Sequence, residues 1–350
     1  MRTEKTRELL PHDWTKTVNG VFIWLVIISH FGILNGLNED SGSYYAWQLK
    51  ILGQLIVTTF LFFSGYGLMV SIQRNQEQYL RELLLRRLPR FWLTFAACVI
   101  LYAGVKVLLG MEVSMSQMLV ALTGWGSMGP PSWYVFMVLL EYVLIWLVFR
   151  ILGQKGGARP LIILAITTMG VVYLLGEFKP RWWYNTILCM PAGMCFAWMK
   201  DKVQYILNSH NAMVWIVIAG LVLGGHCIHF SAYRWGAHSP VLKYYAGSIM
   251  ANAGAVCFVL GIALAVASFA YRIPSPSFWV SHFLKWCGGS ALIYIFMLHN
   301  LPIMVVKTFG WGESHELLSF TLCASVTLLL AFAVETLTSA KQLPKKERST

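Results

Sequence analysis

Three side chains able to do proton-transfer or nucleophilic chemistry lie deep inside apolar runs of this chain. They are His30 in "VNGVFIWLVIISHFG", Glu141 in "SWYVFMVLLEYVLIW" and His299 in "ALIYIFMLHNLP". A neutral imidazole takes and returns protons near neutral pH, and a third group that orients it completes the usual base constellation. At about 1.5 Å of rise per residue, His30 falls roughly 18 Å along its run and His299 roughly 17 Å along one travelling the same way. Glu141 lies about 8 residues into a run travelling the opposite way, within a turn or so of the same level. Each residue also has a structural alternative. His30 can bond a carbonyl of a neighbouring helix, His299 can satisfy carbonyls freed by Pro302, and Glu141 can be protonated or neutralised by Lys106.

A second group gathers in "RELLLRRLPRFW" (81–92), where Arg86, Arg87 and Arg90 crowd the start of an apolar run. Guanidinium groups grip phosphates bidentately, so the cluster reads either as topology or as a site for an anionic, phosphorylated ligand. "FLFFSGYGLMVS" (60–71) sets Ser64, Gly65 and Gly67 together. Small residues there either let helices pack closely or leave a groove for a thin ligand chain. "HCIHF" places His226 and His229 about one turn apart around Cys227, but no third metal ligand is nearby, so a structural role is expected and no metal.

The elements that position these residues follow from composition. Hydrophobic residues make up 57% of the 350 and charged residues 12%, with mean hydropathy +0.61. A soluble domain carries about twice that charge. Ten apolar runs recur, at about 18–37, 47–72, 89–109, 133–152, 160–176, 182–199, 212–230, 244–271, 288–308 and 317–338. They are continuous rather than alternating, so the fold class expected is all-α: a polytopic integral membrane bundle of about ten helices, not a barrel. With both termini cytoplasmic, 20 of the 27 Lys and Arg fall in inner segments, as the positive-inside rule asks. The net charge of +12 then belongs beside lipid headgroups and not to nucleic acid.

The domain reading is a cytoplasmic lead-in (1–17), one membrane domain (18–338) and a polar cytoplasmic tail (339–350). "SMSQMLVALTGW" (114–125) is too short and polar to span and reads as an interfacial helix on the outer face. The seven cysteines are scattered singly and are expected as free thiols.

Taken in order, these segments resemble the acyltransferase-3 family of membrane-bound acyltransferases. "NGVFIWLVIISH" looks like the family's first helix, ending in a required histidine, here His30. "FLFFSGYGLM" is similar to its second-helix pattern. "RRLPRFW" carries its Arg-x-x-Arg element as Arg87 and Arg90. "SWYVFMVLLEYVLIW" and "SALIYIFMLHNLP" are similar to its Trp-Tyr helix and its late Tyr-x-x-Leu-His segment. One departure is Asn19, where many members carry a base eleven positions before the histidine; Lys16, nearly one turn earlier, is a candidate substitute.

The resemblance implies transfer of an acyl group, most often acetyl, from cytosolic acyl-CoA to a hydroxyl of a cell-envelope glycan or lipid-linked saccharide, in the bacterial cytoplasmic membrane. Arg86, Arg87 and Arg90 would hold the donor's phosphates, with Ser64 and Gly65 beside its arm. His30 would act as base with Glu141 or His299 orienting it, and an acyl-histidine relay stays open as a variant. Trp133 and Tyr134 at the outer mouth would stack on a sugar or belong to the interfacial belt. The other readings of the same polar layer are a proton-coupled transporter of an organic acid or lipid-linked sugar, and a scaffold of an envelope-assembly complex.

Overall fold

Runs of apolar residues this long have no water to satisfy their backbones, and the chain answers by folding them as helices. The structure is a computed structural model and describes residues 8–34, 44–152, 157–208, 212–235, 241–273, 275, 279–311 and 315–340. Residues 1–7 of the expected lead-in and 341–350 of the expected tail lie outside the described residues. In chain order the helices are α1 (His12–Leu34), α2 (Tyr44–Glu82), α3 (Leu88–Leu108), α4 (Met115–Leu122), α5 (Ser132–Leu152), α6 (Ala158–Gly176) and α7 (Cys189–Trp198). They continue with α8 (Lys200–Asn208), α9 (Ala212–Trp235), α10 (Val241–Arg272), α11 (Trp279–Cys287), α12 (Leu292–Leu298), α13 (Asn300–Thr308) and α14 (Glu316–Ala340).

Among the described residues, six helical runs are long and apolar enough to cross a membrane, or seven if a bent pair counts as one span. One of the six, Leu52–Leu108, is 57 residues, far longer than the 20 or so that cross a bilayer. It contains two of the runs expected from sequence. Non-helical torsions at Asn75 break α2, and a π-helical turn at Leu83–Arg87 leads into α3. Pro89 sits in the first turn of α3, directly after the π turn, and donates no N–H to the carbonyls of the turn before it.

The run expected at 182–199 differs from a single spanning helix. A 3-10 turn at Arg181–Trp183 and further turns lead into α7, which has only 10 residues, about half the length needed to cross. The run at 288–308 is also divided. Helices 280–287 and 292–308 meet at 68°, and the second is interrupted at His299, which ends α12 and starts α13. The segment 114–125 does form a short helix. Ser114 caps α4 through a reciprocal capping box with Gln117, and Met115 and Leu119 are exposed on it.

Two close backbone approaches set the frame of the site. A Cβ at Gly65 would stand 2.0 Å from the Met190 carbonyl oxygen, and one at Gly193 would stand 2.0 Å from that of Phe62. Only glycine lets α2 and α7 meet this closely. Likewise a Cβ at Gly288 would lie 2.0 Å from the Lys16 carbonyl oxygen, and one at Gly20 would lie 2.1 Å from that of Leu284. The bend between α11 and α12 is thereby held against α1. Asp13 fixes the same corner, accepting from Lys285 Nζ at 2.8 Å, and this bond holds its carboxyl below the ordinary value of 3.8.

Candidate active site

The arginines at the start of α3 diverge, because consecutive helical residues point about 100° apart. Arg87 and Arg90 line a cavity of about 410 Å³. Arg86 faces a different hollow, with Gln78, Arg81 and Leu85, and stands 3.8 Å from Glu82 at the surface. Arg87 is held in place from α2: its Nη1 donates to the Tyr79 hydroxyl at 2.5 Å, and its guanidinium lies 4.6 Å from that ring's centre. The π turn just before α3 adds a residue to the helical repeat and thereby helps set which side chains turn inward.

From the arginines the cavity runs inward between five elements. Helix α5 contributes Tyr134, Val138 and Tyr142, spaced by four on one face and about 12 Å from first to last. Ser64 and Phe60 come from α2, Asn19 from α1, and Gly289, Leu292 and Phe296 from the bend and α12. Tyr134 and Phe296 meet edge to face with centroids 4.7 Å apart, and Phe60 packs on Phe296 at 6.0 Å. One part of the wall is therefore cationic and another aromatic.

Phe296 joins this cavity to the histidines. Its ring lies 5.9 Å from that of His299, and its carbonyl oxygen is 2.8 Å from His299 Nδ1. A carbonyl only accepts, so Nδ1 of His299 carries the proton and its Nε2 is the acceptor in the neutral ring. That Nε2 faces Nδ1 of His30 across a short hydrogen bond, with the rings stacked at 4.7 Å. His30 Nδ1 must then be the donor, which leaves the lone pair on His30 Nε2. A fixed proton order thus runs from His30 through His299 to the main chain. The neighbouring Met297 carbonyl accepts from the Tyr102 hydroxyl at 3.1 Å.

A family model described as an acyltransferase domain, that of the acyltransferase-3 family, matches residues 14–336. The chain belongs to the acyltransferase-3 family. No curated protein and no solved structure matches it. Membership and the apolar helices together make it a multi-pass membrane acyltransferase.

Several positions expected in the site of this acyltransferase-3 protein stand elsewhere. Glu141 shares the fully buried status of His299, but its Oε1 accepts from Thr168 of α6 at 3.1 Å and its Oε2 has no hydrogen-bond partner. It faces α6 and not the histidine pair, because a common depth says nothing about the direction a residue takes around its helix. Gly65 packs against α7 while Ser64, one residue earlier, lines the cavity. Trp133 turns from the cavity to meet Trp182 edge to face at 6.0 Å; Tyr134 alone of that pair lines it. His229 donates Nδ1–H to the Ala251 carbonyl at 2.8 Å, and among the described residues no three His, Cys, Asp or Glu side chains assemble as a metal site. Sequence reasoning passed over Tyr79, Tyr142 and Phe296. The four-residue spacing of Tyr134, Val138 and Tyr142 was the signal available for the second.

Proposed function

We propose that this protein transfers an acyl group, most simply acetyl, from cytosolic acyl-CoA to a hydroxyl of a cell-envelope glycan or lipid-linked saccharide. The observation that carries the reading is a single cavity with Arg87 and Arg90 in its wall and Phe296, the ring against His299, in its lining. Guanidinium groups suit the donor's phosphates, and a partly apolar cavity suits its arm and thioester. The reading keeps both termini in the cytoplasm and about ten crossings of the bacterial inner membrane, one of them made by the turns from Arg181 together with the short α7, in line with the distribution of Lys and Arg.

In this mechanism His30 Nε2 takes the proton of the acceptor hydroxyl as its oxygen attacks the thioester carbonyl carbon. The carbon–sulfur bond breaks, and the departing thiolate receives the proton from His30. His299 holds the His30 ring and its tautomer, as the third group of a triad does, and takes no part in bond exchange. Direct transfer needs one base and one proton, which the histidine pair supplies without a covalent acyl-enzyme.

Purified protein in detergent tests this. The expected result is consumption of acetyl-CoA, with acetyl appearing on an envelope-glycan fraction and lost with His30→Ala. Full turnover by a folded His30→Ala variant would remove the histidine from the chemistry. Movement of unmodified cargo across vesicles, with acetyl-CoA untouched, would instead establish a transporter.

A further inference from the structure

Among the polar side chains that line the cavity, Asn19 is set apart by a buried atom without a partner. Asn19 is 9% exposed and lines the cavity from α1, and its Oδ1 is buried with no hydrogen-bond partner. A buried amide oxygen left unmade costs about 1–3 kcal/mol, so such an atom in a cavity wall calls for a partner that arrives with a ligand. Its position is built, not incidental. Gly20 and Gly288 bring α1 into backbone contact with the α11–α12 bend, and this contact sets Asn19 beside Gly289 in the same wall. The two ends of the asparagine amide are nearly isosteric, so a half-turn about its broad terminal torsion exchanges them and presents either the oxygen or the NH₂ to the cavity.

The chemistry of the group defines what it recognises. Asn19 is neutral, with both an acceptor and donors, and its natural complement is another amide, N–H to Oδ1 and carbonyl to Nδ2. A phosphate would leave Oδ1 unsatisfied, because a fully ionised phosphate donates nothing. We infer that Asn19 is a donor-binding residue that pairs with an amide of the arm of acyl-CoA, in the same cavity whose wall carries Arg87 and Arg90. This rests on the acyl-CoA reading above and extends it: the cavity reads the donor by charge at the arginines and by a neutral amide at Asn19.

The test compares coenzyme A with an analogue in which ester oxygens replace the arm's two amide N–H groups, by equilibrium binding to the full chain in detergent. Wild type is expected to bind coenzyme A about fivefold to tenfold more tightly, the worth of one buried hydrogen bond. Asn19→Leu is expected to bind both equally, whereas Arg87→Ala weakens both in parallel and keeps the preference. If Asn19→Leu keeps the full preference, the inference falls and the acyl-CoA reading stands. If wild type itself shows no preference, the inference falls without recourse to any variant. If wild type binds neither compound, the donor reading fails and the inference with it.

Discussion

Replacing His299 by alanine separates a histidine that orients the base from one that merely fills the core. His299 is fully buried, its Nδ1 is anchored on the Phe296 carbonyl at 2.8 Å, and its Nε2 receives the His30 Nδ1 proton. Removing it frees the His30 ring to rotate and lets its proton move to Nε2, the atom that must act as base. A positioned acid–base group contributes about 10²–10⁴ in rate. Because His30 itself remains, the loss should sit at the low end of that range, about 10²-fold in kcat/KM or about 2.7 kcal/mol of barrier. His299→Gln keeps an acceptor for His30 Nδ1 and should recover about tenfold of the loss. The double variant with His30→Ala should be no slower than His30→Ala alone, since an orienting group has nothing left to orient. Neither histidine lines the cavity, so coenzyme A affinity should hold within about twofold. The assay is thiol release from acetyl-CoA with an envelope-glycan fraction, alongside a melting curve for each variant. Near-normal turnover by folded His299→Ala, or losses that multiply in the double variant, would refute the reasoning.

Four other outcomes follow from the same geometry. Arg87→Ala and Arg90→Ala should each weaken coenzyme A binding about tenfold, as expected for a charge-assisted hydrogen bond, while Arg86→Ala, which faces another hollow, should leave it unchanged in the same titration. Glu141→Gln keeps an acceptor for the Thr168 hydroxyl and should retain turnover within about threefold; Glu141→Leu strips that hydroxyl of its partner and should lower the melting temperature. Gly193→Ala would set a Cβ 2.0 Å from the Phe62 carbonyl oxygen and should destabilise by about 1–3 kcal/mol, read from the thermal midpoint. The Asp13–Lys285 bond gives an acid limb to stability. Asp13's carboxyl is held below 3.8 by Lys285, so its contribution is complete above about pH 4 and is lost as pH falls through the lower folded value. The carboxyl is half exposed, so the effect should stay below about 1 kcal/mol, and Asp13→Asn should flatten the change in melting temperature between pH 6 and pH 3.

Hydropathy made the helical class and the positions of most helices legible, because a bilayer leaves the backbone no alternative to internal hydrogen bonds. It failed at 182–199. An apolar run carries no mark of where a 3-10 turn will consume half its length, and the result is the short α7. The divided helix at His299 was announced by Pro302, but the 68° bend before it was not. That bend depends on Gly288 meeting α1, a long-range packing event. In the site, residue type and depth brought out His30, His299, Arg87 and Arg90. They could not rank Glu141 against His299, or Arg86 against Arg87, because those choices turn on rotation about the helix axis. One residue of shift is about 100°, and a few residues' uncertainty in a helix start erases it.

The partner that the structure gives His30 also bears on why such a base works inside a bilayer. A carboxylate beside an imidazole would place a formal charge in a medium where an unpaired ion is expensive, and even a good ion pair recovers only part of the desolvation cost. His30 leans instead on a second neutral ring, and that ring leans on a main-chain carbonyl at the break between α12 and α13. With both rings neutral, each proton has one fixed location. The carbonyl is that of the residue three positions earlier, and the torsions stay helical at His299, so the helix itself supplies the anchor. Phe296 meets His299, so the histidine pair adjoins the aromatic part of the cavity wall through the orienting ring rather than through the arginines. In the proposed reaction, phosphate binding and proton transfer would then use separate surfaces, and neither cation would have to be desolvated for the histidine to act.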